Sequence, residues 1–317
     1  MPWYRGNLHC HSTRSDGNAS PTAVAGYYKK LGMDFVALAD HNRLTPPADY
    51  RDTISSTFIG IPCSEYTGAH HCHVLAVDAQ TAVHPDENSD TASAASVLRD
   101  GITRTRNAGG VPVLCHPCWK WAYAHTSILA LQDVRHFEVF NAARDCNSYP
   151  IGATSAPEAI WDQVLSAGVR FYGVGVDDAH WHGSAEEAAR SPHHLALGGT
   201  GWSVIKAPEL SGKAIRAAFE SGHFYASTGV DISLYRVTSE GISIGVRPWS
   251  QERVLIEFIG CGGTHLDKQF GAQADYRFRG DEIYVRARIA DTSGCCALTQ
   301  PVFLDDIDRD IAWTATD

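Results

Sequence analysis

The chain has 317 residues, of which 44% are hydrophobic and 20% are charged, and its formal net charge is −10 at pH 7. A chain of this length can bury a sizeable core, and its acidic balance argues against a protein that coats nucleic acid or a membrane surface. No apolar run approaches the roughly 20 residues that cross a bilayer, and the first six residues lack the apolar core of a signal peptide. We therefore predict a cytoplasmic protein without a membrane partner.

The nine cysteines are an odd number scattered through a long chain, and we expect them to be reduced thiols. Cys115 and Cys118 have Cys-x-x-Cys spacing, but no second pair at zinc spacing accompanies them, so we interpret them as packed thiols. Histidine is the unusual residue, because it occurs 16 times and often lies close to a predicted strand.

The first motif in chain order is His9-Cys10-His11. If residues 4–9 form a strand, alternation places both imidazoles on one face, where they could bind one divalent ion. Asp16 follows a turn rich in Ser and Thr, and it could add an oxygen ligand to the same site. Taken alone, the motif is equally well explained by two histidines that are satisfied within the fold.

Strand, turn and helix then alternate about six or seven times, which predicts a parallel α/β architecture as far as residue 230. Helices are expected over residues 21–31, 92–108 and 156–167. In five units a His, Asp or Glu stands at the carboxyl end of the strand, which is the rim where catalytic residues collect in (β/α) barrels. These strands are 4–9, 35–39, 58–62, 111–114 and 171–176; His73 instead precedes its apolar run, 74–77.

From residue 231 onward the pattern of apolar and polar residues changes. Residues 242–246, 254–258 and 283–289 alternate or nearly so, and their connections are rich in glycine, which predicts antiparallel strands without intervening helices. We therefore predict two domains, a first at residues 1–230 and a small β-rich, sandwich-like accessory domain at residues 231–317.

Taken in order, the polar residues at the strand ends resemble the metal signature of the PHP (polymerase and histidinol phosphatase) superfamily over about residues 4–230. The segment 222–229 and the β-rich end further resemble the branch that contains carbaryl hydrolases. The resemblance implies a distorted (β/α)7 barrel, similar to a TIM barrel, that binds two or three divalent ions of Zn, Mn or Fe. The implied ligands are His9, His11, Asp16, His41, Glu65, His73, His116, Asp178 and His180.

The resemblance also implies how these ligands are shared. By position, His9, His11, Glu65 and Asp178 would bind one ion; Glu65, His73 and His116 a second; and Asp16, His41 and His180 a third. Glu65 would bridge the first two ions. A mixture of imidazole and carboxylate ligands suits Zn, Mn or Fe.

The function implied is that of a PHP-type phosphoesterase, which hydrolyses a small-molecule phosphate ester with a metal-activated water. The alternative is a metal-dependent hydrolase of carboxylic or carbamate esters, for which the aromatic stretch 119–123 offers apolar surface. A nuclease is disfavoured by the acidic charge. A non-catalytic domain that keeps its metals for stability is also less favoured, because all nine ligand positions are intact.

Four further residues lie near the motifs. Arg14 could contact an anionic substrate, or it could be an ordinary exposed arginine. His182 could donate a proton to the leaving group, or it could be a surface histidine. Glu138 and Asn141 could support the ligands or simply pack at the same rim. The remaining histidines near the motifs fit no ligand pattern and are interpreted as loop residues: His70, His71, His193 and His194.

Overall fold

The computed structural model describes residues 1–149, 156–184, 186, 196–247, 253–307 and 311–314. Up to residue 230 the elements are β1 (Trp3–Asn7), α1 (Pro21–Lys30), β2 (Phe35–Leu38), β3 (Ile59–Pro62), β4 (Glu65–Thr67), β5 (His73–Val77), α2 (Ala94–Asn107), β6 (Val111–Leu114), α3 (His125–Leu129), β7 (His136–Asn141), α4 (Pro157–Ser166), β8 (Tyr172–Val176), β9 (Trp202–Lys206), α5 (Gly212–Glu220) and β10 (Phe224–Ser227). They are followed by β11 (Asp231–Thr238), β12 (Gly241–Arg247), β13 (Val254–Gly260), β14 (Thr264–Phe270), β15 (Gln273–Arg277), β16 (Tyr284–Asp291), β17 (Cys296–Thr299), β18 (Val302–Phe303) and β19 (Ile311–Thr314). Among the described helices, none is long and apolar enough to cross a membrane.

The fold is mixed α/β, and its described strands form three sheets. The largest sheet has ten strands in the order β14-β13-β16-β17-β10-β9-β1-β2-β3, with β18 paired to β16. A second sheet has the order β4-β5-β6-β7-β8, and a third has the order β15-β12-β11-β19. Because β17 pairs with β10, strands on both sides of residue 230 share one sheet. The division into two domains at that residue stays a prediction.

The pairing is only partly parallel, in contrast to the expectation from alternation. β1, β2 and β3 are parallel neighbours, as are β6, β7 and β8. β5 is antiparallel to β4 and β6, and β9 is antiparallel to β1 and β10. One reason is length, because the short link between β4 and β5 cannot form the crossover that parallel strands need.

Helices are also fewer than the alternation predicts. Helices expected over residues 21–31, 92–108 and 156–167 are present as α1, α2 and α4. Between β2 and β3, however, the described chain has only a 3-10 segment, Pro47–Thr53. The mixed α/β class is therefore found, whereas the (β/α)7 barrel implied by the resemblance stays a prediction.

Helices α1 and α2 begin where their sequences favour a helix start. The Ser20 hydroxyl accepts a hydrogen bond from the Ala23 amide, and Pro21 occupies the first turn of α1, where its missing N–H costs nothing. The Ser93 hydroxyl caps α2 in the same way, by accepting from the Ser96 amide. These local signals explain why both helices could be predicted from the sequence.

The two larger sheets enclose one apolar interior. Leu8, Val113, Val176 and Ile205 come from strands or strand ends of both sheets and belong to a single buried cluster, to which Phe219 of α5 also contributes. Burying one such side chain stabilises the fold by about 1.5–3 kcal/mol. The polar residues at the strand ends lie at one end of this interior.

Candidate metal centre

The structure brings all nine predicted ligands together at one end of this interior. They form overlapping groups whose possible ligand atoms lie within 4.8 Å of one another. The groups are His11, Asp16, His41 and His180; His9, His11 and Asp178; and His41, Glu65 and His73. The ninth residue, His116, joins them through its Nε2 atom, which lies 3.4 Å from Glu65 Oε1. Which ligands share which ion stays a prediction. In the structure His11 and His41 each belong to two groups, whereas the resemblance assigned each of them to a single ion.

Backbone hydrogen bonds hold neighbouring strand ends in place. The His11 amide donates to the Ala179 carbonyl at 2.8 Å, which ties the end of β1 to the end of β8. The Glu65 amide donates to the Asp40 carbonyl at 3.2 Å, which ties β4 to the end of β2. Ligands that are distant in sequence therefore stand on one connected rim.

Glu65 is the centre of the cluster and is fully buried. Five imidazole nitrogens lie within 3.5 Å of its carboxylate oxygens, those of His9, His11, His41, His73 and His116. Burial alone would favour a neutral carboxyl, but the charges of His41, His9 and His73 hold the pKa of Glu65 well below its usual range. Glu65 is thus a charged carboxylate that faces several imidazoles at once, as a bridging ligand would.

The orientation of His9 is set by Glu138. His9 Nδ1 lies 2.6 Å from Glu138 Oε1, while His9 Nε2 lies 3.2 Å from His11 Nε2. A carboxylate that accepts the Nδ1 proton leaves the Nε2 lone pair directed inward. Two nitrogens that bind one ion at about 2.1 Å lie about 3.2–3.5 Å apart. The His9–His11 pair therefore fits a shared cation.

The outer part of the cluster is organised by Asp16. Its Oδ2 atom lies 3.3 Å from His180 Nε2 and 3.6 Å from His41 Nε2. Burial opposes the charged imidazoles, but Glu65 and Asp16 raise the pKa of His41 to about 10, and Asp16 and Asp178 raise that of His180 to about 9. A divalent cation bound here would displace these protons, so metal binding should release protons.

His11 shows the opposite behaviour. Burial and the neighbouring His180 lower the pKa of His11 to about 4, although Asp178 opposes them. Its imidazole is therefore neutral near pH 7, which is the form that binds a metal ion. A neutral imidazole between charged neighbours is consistent with a ligand position.

Asp40 supports the cluster in a way that the sequence analysis did not assign. Its carboxylate accepts hydrogen bonds from the Ser12 amide and hydroxyl, the Ser15 hydroxyl and the Thr45 hydroxyl, at 2.5–2.8 Å. These bonds fix the turn that carries Asp16. The signal was present in the Ser-rich turn and in the position of Asp40 beside His41, but the sequence does not show that the two meet.

Two predicted ligands and one residue that follows a ligand have backbones with positive φ. Asp178 has φ of 50°, His116 has φ of 23°, and Asn42, which follows His41, has φ of 55°. Such conformations cost on the order of 1–3 kcal/mol each for most side chains, and proteins retain them mainly where function requires them. Seven other described non-glycine residues also have a positive φ, so these three conformations accompany the ligand geometry and do not by themselves define the site.

A cavity of about 370 Å³ opens above the cluster. Seven of the predicted ligands line it: Asp16, His41, Glu65, His73, His116, Asp178 and His180. Its other walls are Asn18, Trp119, Ala143, Asp145, Cys146, Trp181 and Ala196. Among these described lining residues, none is Lys or Arg. The cavity therefore combines a polar floor with partly apolar walls.

Trp119 is a wall residue that contacts two predicted ligands. Its ring lies 5.3 Å from that of His73 and 5.2 Å from that of His116, and its Nε1 atom donates to Asp145 Oδ2 at 3.0 Å. His71 packs edge-on against the same indole at 5.2 Å. His71 thus belongs to the wall support rather than to the ligand groups.

The two residues predicted to act on the substrate lie outside the cavity lining. Arg14 Nη2 pairs with Asp49 Oδ2 at 2.7 Å. The His182 amide donates to Asn18 Oδ1 at 2.9 Å, and burial, with His11 and His180 nearby, lowers the pKa of His182 to about 3. Their roles in catalysis stay predictions.

The remaining histidines are placed as follows. His70 lies in the 3-10 segment Ala69–His71, and its Nε2 atom is 2.7 Å from the Thr91 carbonyl oxygen. This position agrees with the interpretation of His70 as a loop residue. His193 and His194 lie outside the described residues. Glu138 and Asn141, which the sequence left undecided, contact the cluster, because Asn141 Nδ2 donates to Glu138 Oε2 at 2.9 Å and to Asp178 Oδ2 at 3.1 Å.

No family model matches the chain, and no curated protein matches it. Among solved structures, it is similar to a two-domain protein from Bacteroides vulgatus that contains a predicted PHP-like metal-dependent phosphoesterase, at 14% identity and a TM-score of 0.49, over 98% of this chain and 94% of that one. It is also similar to a proposed metal-dependent phosphoesterase from Bifidobacterium adolescentis, at 16% identity and a TM-score of 0.42, over 60% of this chain and 90% of that one. Similarity at this level assigns no activity and no residue role to the chain.

Proposed function

We propose that the chain is a metal-dependent hydrolase, a PHP-type phosphoesterase that acts on a small-molecule phosphate ester. The observation that carries the proposal is the convergence of nine imidazole and carboxylate side chains, seven of which line one open cavity. The donor set suits two or three ions of Zn, Mn or Fe. The facing Nε2 atoms of His9 and His11, 3.2 Å apart, also fit a cation.

Bound divalent ions would supply Lewis acidity and a water nucleophile at neutral pH. The residues of the chain orient the ligands and shape the approach to the site. Glu138 fixes the proton of His9 on Nδ1, so that Nε2 faces the site. Asp40 holds the turn of Asp16, and Trp119 and Trp181 restrict the approach to the floor. No Ser or Cys nucleophile is needed for this chemistry.

The phosphate ester is favoured by charge. A cluster loaded with two or three divalent ions is strongly cationic, and it would neutralise a phosphate dianion without any Lys or Arg in the described lining. The volume of about 370 Å³ suits a small molecule, and the net charge of −10 disfavours a nucleic acid substrate. Arg14 could contact the phosphate group only if its ion pair with Asp49 broke.

The second candidate is an uncharged carboxylic or carbamate ester with an aryl group. It is favoured by the walls, because the indoles of Trp119 and Trp181, with Ala143 and Ala196, give the cavity an apolar side. Such a substrate would stack on indole and present its carbonyl to the ions. The two candidates share the metal centre and differ in the charge at the reacting group.

The test uses esters that share one phenol and differ only in the acyl or phosphoryl group. The protein is freed of metal, reloaded with Mn, Zn or Fe, and assayed for kcat/KM with the aryl phosphate, the aryl carboxylate and the aryl carbamate. We expect more than one metal equivalent per chain, the highest kcat/KM for the phosphate, and competitive inhibition by inorganic phosphate. A faster carbamate or carboxylate would select the second candidate, and bound metal without any turnover would contradict both.

The same assay addresses Arg14. If it contacts the phosphate, Arg14→Ala should lower turnover of the aryl phosphate about tenfold to a hundredfold, the scale for losing a charged hydrogen bond, and leave the carbamate unaffected. Arg51→Ala, in the nearby 3-10 segment, is the matched control. Equal rates for both variants would remove Arg14 from the mechanism.

A further inference from the structure

Cys115 lies directly beneath the metal cluster. It follows β6, and alternation along that strand points Val111, Val113 and Cys115 into the apolar interior. Cys115 is the last of the three and is fully buried, at the end where the ligands stand. The sequence suggested a packed thiol, because Cys115 and Cys118 lack a second cysteine pair.

The position of the sulfur atom is more specific than packing requires. Cys115 Sγ, one His9 nitrogen and one Glu65 oxygen lie within 4.8 Å of one another. Metal bonds of about 2.0–2.3 Å in tetrahedral geometry place ligand atoms about 3.3–3.8 Å apart, so a contraction of no more than about 1.5 Å would bring the three atoms to the separations that one ion needs. No other cysteine of the described residues belongs to such a group.

The thiol is also available to bind. Its contact with the Val113 carbonyl oxygen is 3.8 Å long, and a thiol is a weak donor that gives up such a contact at little cost. Cys146 differs, because its Sγ atom lies 3.8 Å from one predicted ligand, Asp178 Oδ2, and forms no group of three. Among the buried thiols of the described residues, Cys115 alone belongs to a group that contains ligand atoms of two predicted ligands.

We infer that Cys115 is a further metal ligand, a thiolate that shares one ion with His9 and Glu65. The S–H proton passes to solvent as the sulfur–metal bond forms, and no oxidation is involved. The inference rests on the metal centre of the proposed function. A thiolate would make this position favour Zn, Co or Fe over Mg and Mn, which prefer oxygen ligands.

Cobalt(II) spectroscopy tests the inference without any assay of turnover. Metal-free protein is titrated with Co(II), and we expect weak visible ligand-field bands together with an intense near-ultraviolet thiolate-to-cobalt band. Cys115→Ser should lose the near-ultraviolet band and retain the visible bands. The matched controls are Cys63→Ser and Cys118→Ser, which remove other buried thiols and should retain both sets of bands.

The outcomes separate the ligand from the metal centre itself. Visible bands without the near-ultraviolet band in the unaltered protein would overturn the thiolate ligand and leave the metal centre standing. The same holds if Cys115→Ser keeps the near-ultraviolet band or if Cys63→Ser loses it. Absence of all cobalt bands would overturn the metal centre and the proposed function together.

X-ray absorption of the zinc-loaded, unaltered protein needs no variant to fold. We expect a sulfur scatterer at about 2.3 Å. A shell of nitrogen and oxygen alone would overturn the inference. Zinc affinity gives a third readout, because Cys115→Ser should weaken zinc binding at least about tenfold and change manganese binding less.

Discussion

Two buried clusters of charged side chains among the described residues differ in whether protein atoms alone satisfy them. The first joins α4 to β16. Arg286 is 1% exposed, and its guanidinium donates to both carboxylate oxygens of Asp162 at 2.7 and 2.8 Å and to Glu158 Oε2 at 2.8 Å. The Tyr284 hydroxyl also donates to Asp162, at 2.8 Å. Every charge in this first cluster, the arginine cluster, has its partner.

The second cluster is the candidate metal centre, and it is not complete in this sense. His9 and His11 direct ring nitrogens at each other across 3.2 Å. Five imidazoles surround one carboxylate, Glu65, and two of the predicted ligands have left-handed backbones. The comparison indicates that the arginine cluster stabilises the fold, whereas the metal centre is arranged for a cation that the protein does not itself supply.

The largest expected effect is on turnover. Glu65→Gln keeps the shape of the side chain and removes the charge that the imidazoles share, so it should lower kcat by about a thousandfold or more and reduce bound metal. Metal content by elemental analysis and kcat with the preferred ester measure both effects. Circular dichroism should show the native fold. A variant that keeps its metal and its turnover would show that Glu65 is not a bridging ligand.

The arginine cluster should respond in the opposite way. Arg286→Met leaves Asp162 buried without its partner and should lower the free energy of unfolding by about 3–5 kcal/mol. Urea unfolding measures the loss, and metal content should stay unchanged.

Its control is the double variant Arg286→Met/Asp162→Leu, in which both charges are absent. Removing both partners should recover most of the stability, since Asp162 is no longer a buried charge without its partner, and Glu158 is partly exposed and keeps Arg288 at 3.5 Å. If Arg286→Met instead lost metal while remaining as stable as the unaltered protein, the division of roles between the two clusters would be wrong.

A smaller effect is expected from Glu138, which touches the metal centre only through other residues. Its Oε1 atom lies 2.6 Å from His9 Nδ1, and its Oε2 atom accepts from the His116 amide at 2.7 Å. Glu138→Gln should weaken metal affinity or activity about tenfold to a hundredfold, as is typical of residues that orient a metal-binding histidine. Competition with a chelator measures the affinity. Glu257→Gln, a buried carboxylate elsewhere, should leave affinity unchanged, and equal affinities for the two variants would remove Glu138 from this role.

The smallest effect concerns a buried histidine that belongs to neither cluster. His136 begins β7, stacks on Phe219 at 4.3 Å, and has its Nδ1 atom without a partner among the described residues. Burial lowers the pKa of His136 to about 4. At His136 the unfolded chain therefore binds more protons than the folded one below about pH 6.5, and the stability that this residue contributes is lost as the pH falls from there toward 4.

His136→Phe should remove this part of the acid sensitivity. Between pH 7 and pH 5 the unaltered protein should lose about 2 kcal/mol more of its unfolding free energy than the variant does. Urea unfolding at both pH values provides the difference, which cancels the titration of the other histidines. An identical pH dependence for the two proteins would mean that His136 titrates normally in the fold.

The sequence determined the parts of this protein that depend on local or periodic signals. Ser20 and Pro21 mark the start of α1, and alternation of apolar residues marks the buried strands, with polar residues at their ends. The periodicity placed polar residues at five strand ends, and the resemblance of their order to the PHP metal signature then predicted nine residues between His9 and His180 as one site. Hydrophobic periodicity is set by nearest neighbours in the chain, and for that reason it is visible without a structure.

Only the tertiary structure decided which side chains meet across the interior. β5 pairs antiparallel with β6, and β9 pairs antiparallel with β1. These directions depend on the lengths of connections and on packing, and no single residue in the sequence indicates them. Glu138 reaches His9 from 129 positions away in the chain, Asp49 engages Arg14, and Cys115 ends beneath His9 and Glu65. These contacts come from the register and order of strands in space, which the free energy of the whole fold selects and which spacing along the chain does not encode.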